Sequence, residues 1–345
     1  MASDAAPGDP GPGDTALAEG LAGWLAAHRG LAHPVVDNLS RPSAGYSADT
    51  VFVDLAWSDG SVEHRDSLVV RMAPSTLGTF PHYDLVAQGQ AQVAAAAAGV
   101  PVADPVVETD PRWVGAPFMV MPRVHGHIVG ALPHLDPWLS ALAPAERGRV
   151  YDHFLDTLAT IHRADPGPAA AVPRRGNSAE LDYWEEYLSW SSDGHPVPAL
   201  AEALRWCRDR RPATEPAPVL LWGDARFENM VLGDDLRPRA VLDWDMTSIG
   251  APQHDLAWFT SLDLTVHHLF GPGLAGVPDR DRTVGRFEEL CGVEMVDLGW
   301  YETLAMVRST AVMTRIGYLR RDAGEPLLLP IDDNPILDLL TGRLT

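Results

Sequence analysis

The chain has 345 residues, 46% hydrophobic and 21% charged, the balance of a globular protein with a sizeable core in one large domain or two ordinary ones. A formal net charge of −21 speaks against nucleic acid as a partner, and no apolar run approaches the roughly 20 residues that a membrane span needs. The acidity is spread out, with 14 Asp and Glu against 5 Arg in residues 1–122 and 33 against 21 in residues 123–345, as on a solvated surface.

The opening segment, MASDAAPGDPGPGDTA, lacks the basic and then apolar pattern of a secretory signal, and its Pro, Gly and Asp content predicts a disordered tail over residues 1–15. Only two cysteines occur, Cys207 and Cys291, far apart in sequence; they form no disulfide framework and fit a cytoplasmic location. All 26 basic residues are arginine. The absence of lysine excludes a lysine Schiff base and a GxxxxGK[ST] phosphate loop.

In chain order, apolar residues at Leu17, Leu21, Trp24 and Leu25 predict a first helix over 17–28. Three strands are expected next, PVVDNLS, TVFVDLAW and SLVVRMAP, with the loop RPSAGYSAD after the first and the turn SDGS after the second. The alanine-rich DLVAQGQAQVAAAAAG predicts a helix ended by Gly99 and Pro101, followed by two short strands, DPVVETD and APFMVM. Past Pro122 the pattern turns helical, and MPRVHG marks a boundary between a first unit, residues 16–122, and a second, residues 123–345. Helices are expected over 149–162, 179–190 and 198–210, then after Pro252, with the longest over 300–321.

The stretch LLWGDARFENMVLGDDLRPRAVLDW breaks this helical run with two strand-like segments, each ending in a carboxylate, Asp224 and Asp243. Carboxylates are expensive at the ends of buried strands. A hairpin here brings Asn229 and Asp243 beside Asp224: two hard oxygen ligands next to a free carboxylate, a set that suits Mg²⁺ and an activated hydroxyl. The alternative is a capped turn in which each residue satisfies backbone N–H groups. For any one residue the capped turn is the better reading; for all three at this spacing, chemistry is.

At these residues the chain resembles the aminoglycoside phosphotransferase-like family. That family's catalytic loop reads HGDxxxxN, and its metal segment reads like IDWE followed by GDPxxDLA; here stand WGDARFENM and LDWDMTSIGAPQHDLAWF. Tryptophan before the Gly-Asp pair is most like the branch associated with acyl-CoA dehydrogenases. The resemblance runs from about Asp37 to the C-terminus. It implies an α+β, two-lobed protein-kinase-like fold with a small β-rich N-lobe and a larger helical C-lobe. It further implies γ-phosphate transfer from ATP or GTP, with Mg²⁺, to a hydroxyl of a small molecule. In this carry-over Asp224 is the base, Asn229 and Asp243 are metal ligands, and Asp255 braces the catalytic loop. Arg226 faces the transferred phosphate or points to solvent. Gly45, Tyr46 and Ser47 fall in the loop that covers the phosphates, and Arg71 stands at the phosphate-binding lysine. Arginine there reflects either a bidentate phosphate grip or the chain's avoidance of lysine. Its usual glutamate partner is missing from the alanine-rich helix, which offers only Gln88, Gln90 and Gln92. Met121, Arg123 and Val124 form the hinge beside the purine, with Arg123 or Val124 as backbone donor because Pro122 has no N–H.

Other features take plainer readings. His162 reads as packing. His125, His127, His267 and His268 lack zinc-ligand spacing. Tyr183, Trp184, Tyr187 and Trp190 read as core, with a pocket wall as the minor alternative, and the arginine clusters 174–175 and 205–211 as solvated faces. For the acceptor, a hydroxylated apolar or acyl metabolite is preferred to a cationic antibiotic. A binding module of pseudokinase type is the rival from another class, set against the intact Asp224, Asn229 and Asp243.

Overall fold

The structure is a computed structural model that describes residues 12–42, 49–60, 62–74, 78–192, 194–331 and 334–344. Helix α1 (Pro12–Arg29) leads into strands β1 (Ala32–Ser40), β2 (Asp49–Ser58) and β3 (Glu63–Met72); helix α2 (Leu85–Ala97) and strands β4 (Val106–Glu108) and β5 (Phe118–Pro122) complete the first lobe. The five strands form one antiparallel sheet in the order β1-β2-β3-β5-β4. Helix α1 starts at Pro12, so residues 12–15, expected in the tail, are helical; Pro12 has the pre-set φ that suits a first turn, and Asp14 follows it there.

The period of two along a strand sorts the sheet into two faces. Val51, Val53, Leu55, Leu68, Val70, Phe118 and Val120 pack under Leu17, Leu21, Trp24 and Leu25 of α1. Met119 and Met121 turn to the other face, where they meet Leu85 of α2, Ala103, Val69 and Val124. Arg71 lies two residues beyond Val69 on β3 and therefore shares that second face, the one turned toward the rest of the molecule.

The second lobe is helical, with α3 (Pro137–Ala141), α4 (Pro144–His162), α5 (Asn177–Ser191) and α6 (Pro198–Asp209) preceding four short strands. These are β6 (Val219–Leu221), β7 (Met230–Leu232), β8 (Pro238–Val241) and β9 (Ser248–Gly250); β6 pairs with β9, and β7 with β8. Helices α7 (Gln253–Phe270), α8 (Arg280–Cys291), α9 (Leu298–Asp322) and α10 (Pro335–Gly342) close the lobe. Helix α9 is buried on nearly all sides over 298–311 and forms the axis of the lobe, as an all-round buried pattern implies. No described helix is long and apolar enough to cross a membrane.

A buried polar network links the helices behind the short strands. His254 Nε2 donates to Asn177 Oδ1 at 3.1 Å, and Asn177 Nδ2 donates to the Tyr301 hydroxyl at 2.9 Å. Burial pushes the His254 imidazole from 6.5 down to about 4; Glu180 opposes this and Arg308 reinforces it. The unfolded ring takes up its proton near 6.5 and the folded ring only near 4. Stability from this group is thus complete above pH 6.5 and is lost as the pH falls toward about 4, by up to about 3 kcal/mol. His254→Gln should flatten that part of the pH profile of urea unfolding. An unchanged slope between these pH values would show that the ring is not held neutral by the fold.

Candidate active site

Strand β6 delivers the chain to a loop, Trp222 to Asn229, that one buried carboxylate holds in shape. Asp255, near the start of α7 and 1% exposed, accepts the Trp222 N–H (2.9 Å, Oδ2), the Gly223 N–H (2.8 Å, Oδ1) and His162 Nε2 (2.9 Å, Oδ2). Gly223 sits at φ +91°, and a Cβ there would collide with the Met246 carbonyl oxygen, so only glycine fits. The Trp222 indole is buried and donates to the Leu242 carbonyl (2.8 Å), fixing the loop to the segment that carries Asp243.

Asp224 projects from this loop with both oxygens engaged. Oδ1 accepts from Trp258 Nε1 (2.8 Å), and Oδ2 accepts from Asn229 Nδ2 (2.8 Å) and Arg226 Nε (3.1 Å). Burial raises the Asp224 pKa above the ordinary carboxylate value; Arg226 opposes this, Asp243 adds to it, and the Asn229 and Trp258 bonds lower it. Asn229 ends a turn of 3₁₀ helix, Phe227–Asn229, one residue before β7. Its amide nitrogen also donates to the Asp224 carbonyl (3.0 Å), which leaves its oxygen as the ligating end. The Leu242 N–H donates to the Asn229 carbonyl (2.8 Å), so the β7–β8 hairpin carries Asp243 next to Asn229, as the spacing predicts. Asp243 adopts a left-handed backbone at φ +55°, which aspartate tolerates better than most residues, and its side chain is 30% exposed.

Across the lobe boundary, Arg71 Nη2 donates to both oxygens of Asp245 (3.1 Å each) and lies 3.6 Å from Asp243 Oδ1. Burial alone lowers the Arg71 pKa, but Asp245 and Asp243 outweigh it and raise it. Arg226 bridges Asp224 and Glu228, whose Oε1 is 2.7 Å from Nη1. Asp224, Glu228, Asp243 and Asp245 thus face only two guanidiniums in these pairings. The residual negative charge, with an exposed carboxylate beside an amide oxygen, fits a hydrated divalent cation held by two protein ligands and substrate phosphates, the mode that suits Mg²⁺. Among the described residues no group of three or more His, Cys, Asp or Glu side chains forms a metal centre by itself.

Residues 38–277 match the model of the phosphotransferase enzyme family, APH. The chain belongs to this family. Among curated proteins, Probable acyl-CoA dehydrogenase IBR3 of Arabidopsis thaliana is 30% identical over 161 residues, 44% of this chain but 19% of that protein, so the chain spans about a fifth of this relative's length. A crystal structure from Ralstonia eutropha JMP134, assigned as an aminoglycoside phosphotransferase, superposes with a TM-score of 0.68 at 21% identity, over 94% of this chain and 97% of its own. The GDP complex of a mutant aminoglycoside 2′-phosphotransferase-IIIa gives 0.51 at 14% identity, over 92% and 94%. These likenesses are of fold, and the two-lobed α+β architecture is the one expected for a phosphotransferase of this kind.

Gly45, Tyr46 and Ser47 lie outside the described residues. Met121 is buried on the cleft-side face of β5, paired with Val69. The Arg123 N–H donates to the Ser67 carbonyl (2.8 Å) as the sheet continues past β5, so of the two hinge donors it is the one already committed. Val124 packs beside Met121. Neither Gln88, Gln90 nor Gln92 replaces the missing glutamate. The Gln88 amide oxygen is buried without a partner, Gln90 accepts from the Ala171 N–H, and Gln92 contacts Met119 Sδ. Trp184 and Tyr187 are core; Tyr183 and Trp190 are half-buried, under Arg175 and Arg315 respectively. Arg208 of the second arginine cluster pairs with Asp182 and Glu185 on the surface.

Three neighbours of the site escaped the sequence reading: Trp258, Glu228 and Asp245. Trp258 stands three residues after Asp255, one helical turn, and that spacing was the available signal. Gly223→Ala should lower stability by about 1–3 kcal/mol through backbone strain alone, with the collision added. Urea unfolding tests this, and a loss below about 0.5 kcal/mol, ordinary for a surface site, would contradict the close approach to Met246.

Proposed function

We propose that the chain transfers the γ-phosphate of ATP or GTP to a hydroxyl of a small molecule, an apolar or acyl metabolite by preference. The observation that carries this reading is the opposition, across one cleft, of a braced carboxylate, Asp224, to a cation from the other lobe, Arg71, with Asn229 and Asp243 between them. A GDP-bound relative of the same fold supports a nucleotide as donor.

Asp224 accepts the proton of the acceptor hydroxyl. Its raised pKa brings it closer to neutrality and makes it a better base than a free carboxylate, while Trp258 and Asn229 fix its direction. Asn229 and Asp243 would hold Mg²⁺, which when bound supplies charge neutralisation on the nucleotide phosphates. Arg71 grips phosphate from the N-lobe. Arg226, released from Asp224 as that carboxylate takes the proton, is placed to meet charge on the transferred group. Val69 and Met121 give the purine an apolar roof, with the Val124 N–H as hinge donor. No covalent intermediate is needed, so positioning and charge neutralisation account for the catalysis.

Two observations favour an apolar acceptor over a polycationic sugar. Behind Asp224, Arg308 of α9 reaches the Gly223 carbonyl and lies against Trp184 of α5 and Trp258, and Tyr183 and Trp190 of α5 are half-buried under Arg175 and Arg315. The buried Glu180 of α5 is already paired with Arg308 (3.7 Å) and Arg175 (3.8 Å), and the buried Glu302 of α9 with Arg280 and Arg343. A polycation needs several free carboxylates. The acyl-CoA dehydrogenase name of the curated relative points the same way.

Asp224→Asn should retain the fold and lower turnover by about 10²–10⁴-fold, the range for loss of a positioned base. Trp258→Phe should act more mildly. It removes a donor that favours the charged carboxylate, so the acidic limb of the rate profile should move to higher pH. An Asp224→Asn enzyme that keeps a tenth of its turnover would remove Asp224 from the base role.

The acceptor class is decided by a panel. Purified chain with Mg²⁺ and ATP or GTP should phosphorylate 4-hydroxyacyl-CoA thioesters faster than kanamycin-type sugars. Fast turnover of the sugars alone would overturn the preference, and nucleotide binding with no transfer to any hydroxyl would favour the pseudokinase-type module.

A further inference from the structure

The phosphotransferase reading leaves Arg71 without the helix glutamate that orients its counterpart in related enzymes, and the structure supplies a different partner. We propose that Asp245 is the positioning residue for Arg71. The phosphate-gripping cation of the N-lobe is then oriented from the C-lobe, by the same short segment that carries the metal ligand Asp243. This inference rests on the nucleotide-dependent function proposed above.

Three observations carry it. Asp245 receives Arg71 Nη2 through both oxygens at 3.1 Å, whereas Asp243 is reached only at 3.6 Å, so the tighter partner is the residue with no assigned role. The Asp245 side chain is 3% exposed against 30% for Asp243: one is sealed under the guanidinium, the other is open to a ligand. Helix α2 presents only neutral amides on its inward face, where Gln88 and Gln92 are both buried, so no carboxylate from that side competes for Arg71.

The geometry has a chemical consequence. One nitrogen, Nη2, meets Asp245, while Nε is buried and makes no hydrogen bond among the described residues, a donor that still lacks an acceptor. The two residues are 174 positions apart, on opposite lobes. The phosphate grip therefore exists only while the lobes stand at this separation, and the metal ligand two residues earlier shares the same backbone anchor. A carboxylate on α2 would orient the cation within the N-lobe alone; Asp245 makes it a property of the two lobes together.

The test uses the full chain and four proteins: wild type, Asp245→Asn, Arg71→Met and the double variant. ADP and GDP with Mg²⁺ are the probes, binding is read by calorimetry, and stability by urea unfolding. Asp245→Asn should weaken the preferred diphosphate by about tenfold or more, the scale for a charge-assisted pair, and Arg71→Met should do at least as much. The double variant should bind no more weakly than Arg71→Met alone, since Asp245 acts only through Arg71. It should also be more stable than Asp245→Asn, which leaves a buried guanidinium without its carboxylate. If Asp245→Asn does not fold, the double variant, with neither charge buried, still gives the comparison with Arg71→Met.

Losses that add in the double variant would overturn the proposal by showing that Asp245 touches metal or nucleotide directly. Wild-type binding that Asp245→Asn leaves unchanged would also overturn it, with the phosphotransferase reading untouched. A wild type that binds neither diphosphate would sink that reading and the inference together.

Discussion

The contact on which the rest of the site depends is the buried carboxylate of Asp255 receiving the two consecutive backbone N–H groups of Trp222 and Gly223. A carboxylate in the core is costly unless its lone pairs are filled, and here two amides and His162 fill them. Placement near the N-terminus of α7 adds the favourable end of the helix dipole. The contact converts a flexible strand-to-loop transition into a fixed one. Once Trp222 and Gly223 are held, Gly223 must take its left-handed turn, Asp224 must project toward the cleft, and the Trp222 indole is aimed at the Leu242 carbonyl. Asp224, the Asp243 segment and Asp255 form one mechanical unit, although they come from three elements.

Charge then divides the unit by accessibility. Asp245 and Asp255 are sealed, each with its donors in place, and act as anchors. Asp243 is the open carboxylate, and Asp224 lies between these extremes, buried but not fully sealed. The proximity of Asp243 helps to keep the Asp224 pKa raised. A cation at Asp243 would relieve that repulsion. The readiness of Asp224 to give up or hold its proton is therefore coupled to what neutralises its neighbour, and the coupling needs no movement of the fold.

What could be read from the sequence was local. The hairpin placed Asn229 and Asp243 side by side because turn and strand lengths are written in consecutive residues, and the spacing of apolar and aromatic residues located α1, α4 and α5 for the same reason. Two things could not be read this way. The short strand β9 pairs with β6 across an intervening hairpin, and three residues of pairing leave no alternating pattern to detect. Asp245 follows Asp243 by two positions and looks like a second acid of the same turn; only the meeting of the lobes reveals that it belongs to Arg71. Helix α2 showed the deficit, with glutamine where glutamate was wanted, but the deficit did not say where the compensating charge would come from.

The absence of lysine takes on a different meaning in this setting. An ammonium at position 71 would be a point charge, and contact with Asp245 would draw it to one side of the cleft. A guanidinium can separate two tasks in space: one nitrogen meets the anchoring carboxylate, and Nε, buried without an acceptor among the described residues, is a second donor. An orienting acid in the opposite lobe, pulling the cation across the cleft, is compatible with phosphate binding when the cation has more than one edge. Arg71 and Asp245 are in this sense a matched pair. A chain that carries arginine at every basic position could place its orienting carboxylate on the metal segment, where a lysine-based site would have needed it on the helix.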